Sequence, residues 1–135
     1  MYEILVRGGF SSAHNLRGYK GKCEGLHGHN WKVEARFEKE ALNNIGISVD
    51  FTELKSGLKN VLKALDHKHI NKIGIFKTEN PSAENIAKYI YLKLKDVVRN
   101  KAKGGLKPSP TKEKGLSIKS VSVWESETSC ATYYE

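Results

Sequence analysis

No stretch of the chain approaches the roughly eighteen consecutive apolar residues that a membrane-spanning helix requires. The opening Met1-Tyr-Glu-Ile-Leu-Val-Arg7 has neither a basic leader nor an apolar signal core. Those absences predict a soluble, cytoplasmic protein. Cysteine is scarce: Cys23 and Cys130 are the only two, too few for a disulfide scaffold, and without a secretion signal both are expected to stay reduced. No internal repeat is evident, and 135 residues suit a single domain, residues 1–135, with a real core. Acidic residues are outnumbered, 15 Asp and Glu against 23 Lys and Arg, for a formal charge of +8. That balance suggests an anionic partner without naming it, because nucleic acid, anionic lipid and a phosphorylated metabolite all fit. No stripe of aromatic residues alternates with the basic ones, as a nucleic-acid track needs. The clearest basic cluster, Arg17, Lys20 and Lys22, stands immediately before Cys23 and reads as a phosphate clamp.

What the chain does have is histidine in an informative place. Three of its five histidines are His14, His27 and His29, and a thiol lies four residues before the second, giving Cys23-Glu-Gly-Leu-His27-Gly-His29. Two imidazoles at i and i+2 point the same way only on extended backbone, so His27 and His29 are expected on one face of a strand. His14, from an earlier strand, supplies the third nitrogen. Imidazole suits Zn²⁺, and three protein ligands leave a tetrahedral ion one free position, the mark of a catalytic centre. The spacing also allows a closed structural site in which Cys23 is the fourth ligand.

Apolar and polar residues alternate from Tyr2 to Val6, predicting a strand that continues through Gly8-Gly9 towards His14. Trp31, Val33, Ala35 and Phe37 alternate with Lys32, Glu34, Arg36 and Glu38, one buried and one wet face of a second strand. His29 shares parity with Trp31, which puts the metal on the apolar side or at the strand's end. Asn43-Asn44-Ile-Gly46 makes a turn. Asp50 then caps a helix whose apolar residues Phe51, Leu54, Leu58, Val61, Leu62 and Leu65 fall at helical spacing, ending near Leu65 or Asp66. Ser82 caps a second helix with the stripe Ala83, Ile86, Ala87, Ile90, Leu94, Val97 and Val98. Lys101 to Gly115 is expected as an exposed basic loop. Val121 and Val123 mark a third strand and Cys130 to Tyr134 a fourth, with Cys130 as a small core residue. The order ββααββ predicts an α+β domain, a four-stranded antiparallel sheet with two helices on one face. Its open edges argue for a homo-oligomer.

Phe10-Ser-Ser-Ala-His14, Cys23-x₃-His27-Gly-His29-Asn30, Asp50-Phe51-x-x-Leu54-Lys55, Leu65-Asp66-His67, Pro81-Ser-Ala-Glu84-Asn85 and Trp124-Glu125-Ser-Glu-Thr128 together resemble the 6-pyruvoyltetrahydropterin synthase family. Within it the Cys-x₃-His-Gly-His spacing is most similar to the 6-carboxytetrahydropterin synthase branch, the QueD enzymes of queuosine and deazapurine synthesis. The resemblance spans nearly the whole chain in order, apart from the Lys101 to Gly115 loop. It departs at Ser82-Ala83, where the family usually has a threonine before the Glu-Asn pair. The resemblance implies a tunnelling fold (T-fold) whose subunits join their sheets into a barrel, usually a hexamer of two stacked trimers, with active sites between subunits. By the same resemblance His14, His27 and His29 hold zinc, Cys23 is the catalytic thiol, Asp66 and His67 form a second catalytic pair, and Glu125 anchors the pterin ring. The implied substrate is 7,8-dihydroneopterin triphosphate.

The chemistry of those residues is coherent. A carboxylate can accept two hydrogen bonds in a fork from the pterin's adjacent amino and ring N–H groups, which suits Glu125 at a strand end; Glu127 competes for that role. Cationic surroundings favour a thiolate at Cys23 as the base that removes a substrate proton, and His67 can shuttle a second proton. Asp66 and His67 can cooperate only if the helix has already ended, because adjacent helical residues do not face each other. His69 repeats the i, i+2 spacing from His67 and is expected as a solvated neighbour. The first expectation is therefore a zinc-dependent lyase that makes 6-carboxy-5,6,7,8-tetrahydropterin, acetaldehyde and triphosphate. A second is the 6-pyruvoyl product, formed without carbon-carbon cleavage. A third is aldolase-like cleavage to a hydroxymethylpterin, which the resemblance associates with a glutamate in Glu-x₂-His-Gly-His. Glu24 satisfies that spacing beside Cys23, and only one of the two side chains is expected to face the metal. A basic zinc-binding module without catalysis, or a non-catalytic pterin binder, stands outside these chemistries.

Overall fold

Two long stretches of alternating residues in the first forty positions build the centre of the molecule. A computed structural model describes residues 1–102 and 115–135. In it β1 (Tyr2–His14) and β2 (His27–Lys39) pair antiparallel along their full lengths, from Tyr2 opposite Lys39 to His14 opposite His27. β3 (Ser117–Trp124) pairs with β2, and β4 (Cys130–Tyr133) with β3, so the sheet order is β1-β2-β3-β4. β1 does run through Gly8-Gly9 to His14. Glycine is needed there: a Cβ at Gly9 would stand 2.8 Å from the carbonyl oxygen of Trp31.

The register places Ile4, Val6, Phe10, Ser12 and His14 of β1 on the same side as His27, His29, Trp31, Val33, Ala35 and Phe37 of β2. A bulge between Arg36 and Phe37 lets Ile118 join Val121 and Val123 on that side, although odd spacing separates them. Two helices cover this face. The Asp50 carboxylate accepts the N–H of Thr52 at 2.8 Å and starts α1 (Phe51–Leu62), which lays Leu54, Leu58 and Leu62 over β1. Ser82 accepts the N–H of Asn85 at 3.2 Å and starts α2 (Ala83–Ala102), whose Ile86, Ala87, Ile90, Tyr91 and Leu94 are buried; the helix packs on β3 and β4. Burial of each of these leucines and isoleucines contributes roughly 1.5–3 kcal/mol. α2 takes in Lys101 and Ala102, the start of the expected basic loop, and residues 103–114 of that loop lie outside the described residues.

α1 ends at Leu62, three residues before Leu65, because the next turn bonds to β1 instead of to itself. Ser12 Oγ donates to the Leu65 carbonyl, His67 N–H to the Ser11 carbonyl at 2.7 Å, and Ala13 N–H to the Lys68 carbonyl at 3.0 Å. Two single-turn 3-10 helices, Ile70–Lys72 and Gly74–Lys77, carry the chain to Pro81 and sink Ile70 and Phe76 into the core. Cys130 corrects an expectation: it is exposed. It pairs with Trp124 on the uncovered side of the sheet, and its neighbours Ala131 and Tyr133 are the residues turned towards the helices.

The uncovered side is polar. A chain of ion pairs crosses it from Glu38 through Lys119, Glu3, Arg36 and Glu34 to Arg7. No described helix is long and apolar enough to cross a membrane.

Candidate metal centre and its surroundings

Strand pairing alone brings the histidines together. His14 and His27 are direct cross-strand partners at the end of the β1–β2 ladder, and His29 lies two residues further along, opposite Ser12. Ring centroids stand 4.6 Å apart for His14 and His27, 5.2 Å for His14 and His29, and 4.8 Å for His27 and His29. Trp31 forms the floor, edge-on to His14 at 4.9 Å and to His29 at 5.1 Å. The cluster thus occupies both places that parity allowed, the apolar face and its end.

Two backbone carbonyls fix which nitrogen of each ring is free. His14 Nδ1 lies 2.7 Å from the Pro81 carbonyl oxygen, and His27 Nδ1 2.7 Å from that of Gly25. A carbonyl only accepts, so both Nδ1 atoms carry the proton and both Nε2 atoms present lone pairs. Among the described residues, His14 Nε2 and His29 Nε2 are buried without a hydrogen-bond partner. Glu125 completes the group, with Oε1 3.5 Å from His29 Nε2, and one ligand atom from each of His14, His27, His29 and Glu125 falls within 4.8 Å of every other. Burial is the main force lowering the pKa of His14, opposed by its bond to Pro81; burial also lowers that of His29, opposed by the nearby Glu125 charge. Burial thereby favours the neutral form of both rings, the form that binds a metal. Three converging imidazoles, two of them with buried Nε2 atoms that have no hydrogen-bond partner among the described residues, fit Zn²⁺ well.

Cys23 lies outside this four-residue group among the described residues. It sits half-buried on a 3-10 turn, Lys22–Glu24, whose place is fixed by Leu16 N–H donating to the Cys23 carbonyl at 2.8 Å. Glu24, next to it, is exposed, so the two side chains meet different surroundings. The four clustered side chains are three histidines and a glutamate, not the Cys-His₃ set of a closed site. Glu125 and Glu127 also separate: Glu127 pairs with Lys32 at 3.2 Å and is 86% exposed.

Asp66 and His67 do face each other. Asp66 Oδ1 lies 3.0 Å from His67 Nδ1, and His67 adopts φ 53, the sole non-glycine positive φ among the described residues. The Ser11 N–H donates to Asp66 Oδ1 at 2.9 Å and is the largest cause of that carboxyl's lowered pKa, followed by the bond from His67. The His67 side chain is 82% exposed at the outer edge of β1. His69 departs from expectation: it is half-buried, with Nε2 3.3 Å from Asn15 Oδ1. Arg17 departs too. Its guanidinium donates to the carbonyls of Asn71, Phe76 and Glu79, tying the loop after His14 to the 3-10 segment, which leaves only Lys20 and Lys22 of the basic cluster exposed and uncommitted. Asn71, also missed in the sequence, is buried and bonds both backbone groups of Asn15 through its amide. A concavity of about 540 Å³ opens on the opposite face at Arg7, Lys32, Glu34, Trp124 and Glu127. Its charges neutralise each other, Arg7 with Glu34 and Lys32 with Glu127, and no histidine lines it.

A four-stranded antiparallel sheet, two helices on one face and three histidines gathered at the end of its first two strands define a pterin-synthase class of domain. The chain belongs to the 6-pyruvoyl tetrahydropterin synthase family, whose profile matches residues 3–135. It is 29% identical to a 6-carboxy-5,6,7,8-tetrahydropterin synthase of Haemophilus influenzae over the whole of both chains. It is 33% identical to a dihydroneopterin monophosphate aldolase of Pyrococcus furiosus, over 91% of this chain and 89% of the other. Its fold superposes on the solved 6-pyruvoyl tetrahydropterin synthase of Caenorhabditis elegans with a TM-score of 0.79, at 26% identity, covering 99% of this chain and 95% of that one.

Proposed function

We propose that the protein is a Zn²⁺-dependent 6-carboxy-5,6,7,8-tetrahydropterin synthase that converts 7,8-dihydroneopterin triphosphate to 6-carboxytetrahydropterin, acetaldehyde and triphosphate. The observation that carries the reading is the convergence of His14, His27 and His29 beside Glu125, with the Nε2 atoms of His14 and His29 buried and without a hydrogen-bond partner among the described residues. His14, His27 and His29 hold the ion, which when bound supplies Lewis-acid stabilisation to the oxygens of the substrate side chain. Glu125 accepts the paired N–H donors of the pterin, a fork that offsets the cost of a carboxylate in a half-buried position. Cys23, near the ions' ligands in sequence but outside their cluster, is free to take the proton from the side-chain carbon. His67, oriented through Nδ1 by Asp66, presents its other nitrogen for a second proton transfer. Lys20 and Lys22 face the triphosphate.

The exposure of His67 at the outer edge of β1 supports active sites between subunits. That edge is covered only near Ser11 and Ala13 among the described residues, and strand addition by another copy suits the remainder. We propose a homohexamer built as two trimers, cytoplasmic, acting on a small pterin and not on nucleic acid or membrane, in queuosine and deazapurine synthesis.

A second reading is aldolase-like cleavage with Glu24 as the base, favoured by the Pyrococcus relative and by the exposure of Glu24 beside Cys23. Incubating zinc-loaded protein with dihydroneopterin triphosphate and weighing the products distinguishes the readings. 6-Carboxytetrahydropterin with acetaldehyde is expected. A 6-pyruvoyl product or a hydroxymethylpterin assigns the chain to the sister chemistries, and salt-sensitive DNA binding without turnover favours a basic zinc module.

A further inference from the structure

The left-handed backbone at His67 disfavours any residue with a Cβ, so something outside the turn must hold it. Five bonds to β1 do so. Three use Ser11 and Ala13 main-chain groups: Ser11 N–H to Asp66 Oδ1, His67 N–H to the Ser11 carbonyl and Ala13 N–H to the Lys68 carbonyl. Any residue could supply those. The other two depend on one hydroxyl: Ser12 Oγ donates to the Leu65 carbonyl and accepts the Lys68 N–H at 3.2 Å, gripping the turn on both sides of the Asp66–His67 pair.

The same residue is registered against the metal centre. Ser12 is buried on the helix-covered face, two residues from His14, directly opposite His29, and its carbonyl accepts the Trp31 indole N–H at 3.3 Å. We infer that Ser12 is a positioning residue: its hydroxyl sets the Asp66–His67 pair at a fixed height on β1 relative to the three histidines. It touches no reacting atom. This inference rests on the reading that His67 transfers a proton; what it adds is the side chain that makes the geometry reproducible. Alanine keeps the strand but leaves the buried Leu65 carbonyl and the part-buried Lys68 N–H without the hydroxyl that both use.

The test uses the zinc-loaded protein and Ser12→Ala. Hydrogen exchange read by mass spectrometry over residues 63–70 is expected to speed up by about tenfold, and kcat to fall by about tenfold with KM and zinc content unchanged. In a His67→Ala background, Ser12→Ala is expected to cost no further activity, since the group it positions is gone. Unchanged exchange, or an equal loss of kcat in both backgrounds, overturns the inference. If His67→Ala itself leaves turnover intact, the proton-transfer reading fails, while the exchange measurement still decides whether Ser12 holds the turn. Ser12→Cys keeps a side chain at the position but donates only weakly through its thiol, and supplies the same readings should the alanine variant not fold.

Discussion

Asp66 and His67 are neighbours in sequence and also bonded side chain to side chain, Oδ1 to Nδ1 at 3.0 Å. That contact is impossible between consecutive residues of a helix. It exists because α1 stops at Leu62 and His67 turns left-handed at φ 53. A carboxylate fixed by the Ser11 N–H thus orients an imidazole whose other nitrogen has no hydrogen-bond partner among the described residues.

Replacing Asp66 by Asn tests this pairing through acid stability. The folded-state pKa of Asp66 lies below its usual 3.8, first through the Ser11 N–H and then through His67. Its contribution is therefore present above the usual carboxylate value and is lost as pH falls through the lowered one. Melting temperatures of Asp66→Asn are expected to drop less than those of the wild type as pH falls from about 5 to about 2. Parallel acid sensitivity would contradict the pairing.

His14 and His29 make the opposite end of the pH scale informative in metal-free protein. Burial lowers both from the usual 6.5, so the unfolded chain takes up protons first as pH falls. The stability contributed by the neutral rings is complete above that value and is lost below it. Metal-free wild type should lose melting temperature between about pH 7 and about pH 5, and His14→Gln should flatten that slope. His14→Ala should also reduce zinc from one ion per chain towards none, by elemental analysis.

Cys23→Ala is expected to keep its zinc, because the thiol stands outside the ligand cluster, and to lose carboxytetrahydropterin formation by about a hundredfold or more. Glu24→Gln is expected to leave that product within about twofold, surface changes away from the chemistry being small. Reversal of the two results would assign the base to Glu24.

Glu125→Gln exchanges one acceptor of the pterin fork for a donor. KM should rise about tenfold or more, with zinc content held. Glu127→Gln should be silent, since Glu127 engages Lys32 on the other side. Loss of zinc from Glu125→Gln would make Glu125 a ligand instead.

Much of this was legible in the sequence, for reasons that also explain what was not. Alternation over thirteen residues fixes parity, which is why β1 and β2 and the common facing of His27, His29 and Trp31 could be read directly. β4 spans four residues, too few for a period, and the placement of Cys130 inside was wrong. The partners of His14 and His27 are the carbonyls of Pro81 and Gly25; every residue has a carbonyl, so no residue type announces them. For the same reason Arg17 looked like a phosphate ligand when its guanidinium is spent on three main-chain oxygens. The 3-10 segment from Ile70 to Lys77 carries no helical or strand period, yet its Asn71 and Phe76 hold the loop that follows His14 through Asn15 and Arg17.

X-ray absorption of the zinc-loaded protein measures the centre most directly. Three imidazole nitrogens at about 2.0–2.1 Å with one or two oxygens, and no sulfur at about 2.3 Å, are expected in wild type and unchanged in Cys23→Ala. A sulfur shell that disappears in Cys23→Ala would mean a closed Cys-His₃ ion and would contradict a catalytic centre with the thiol free to act.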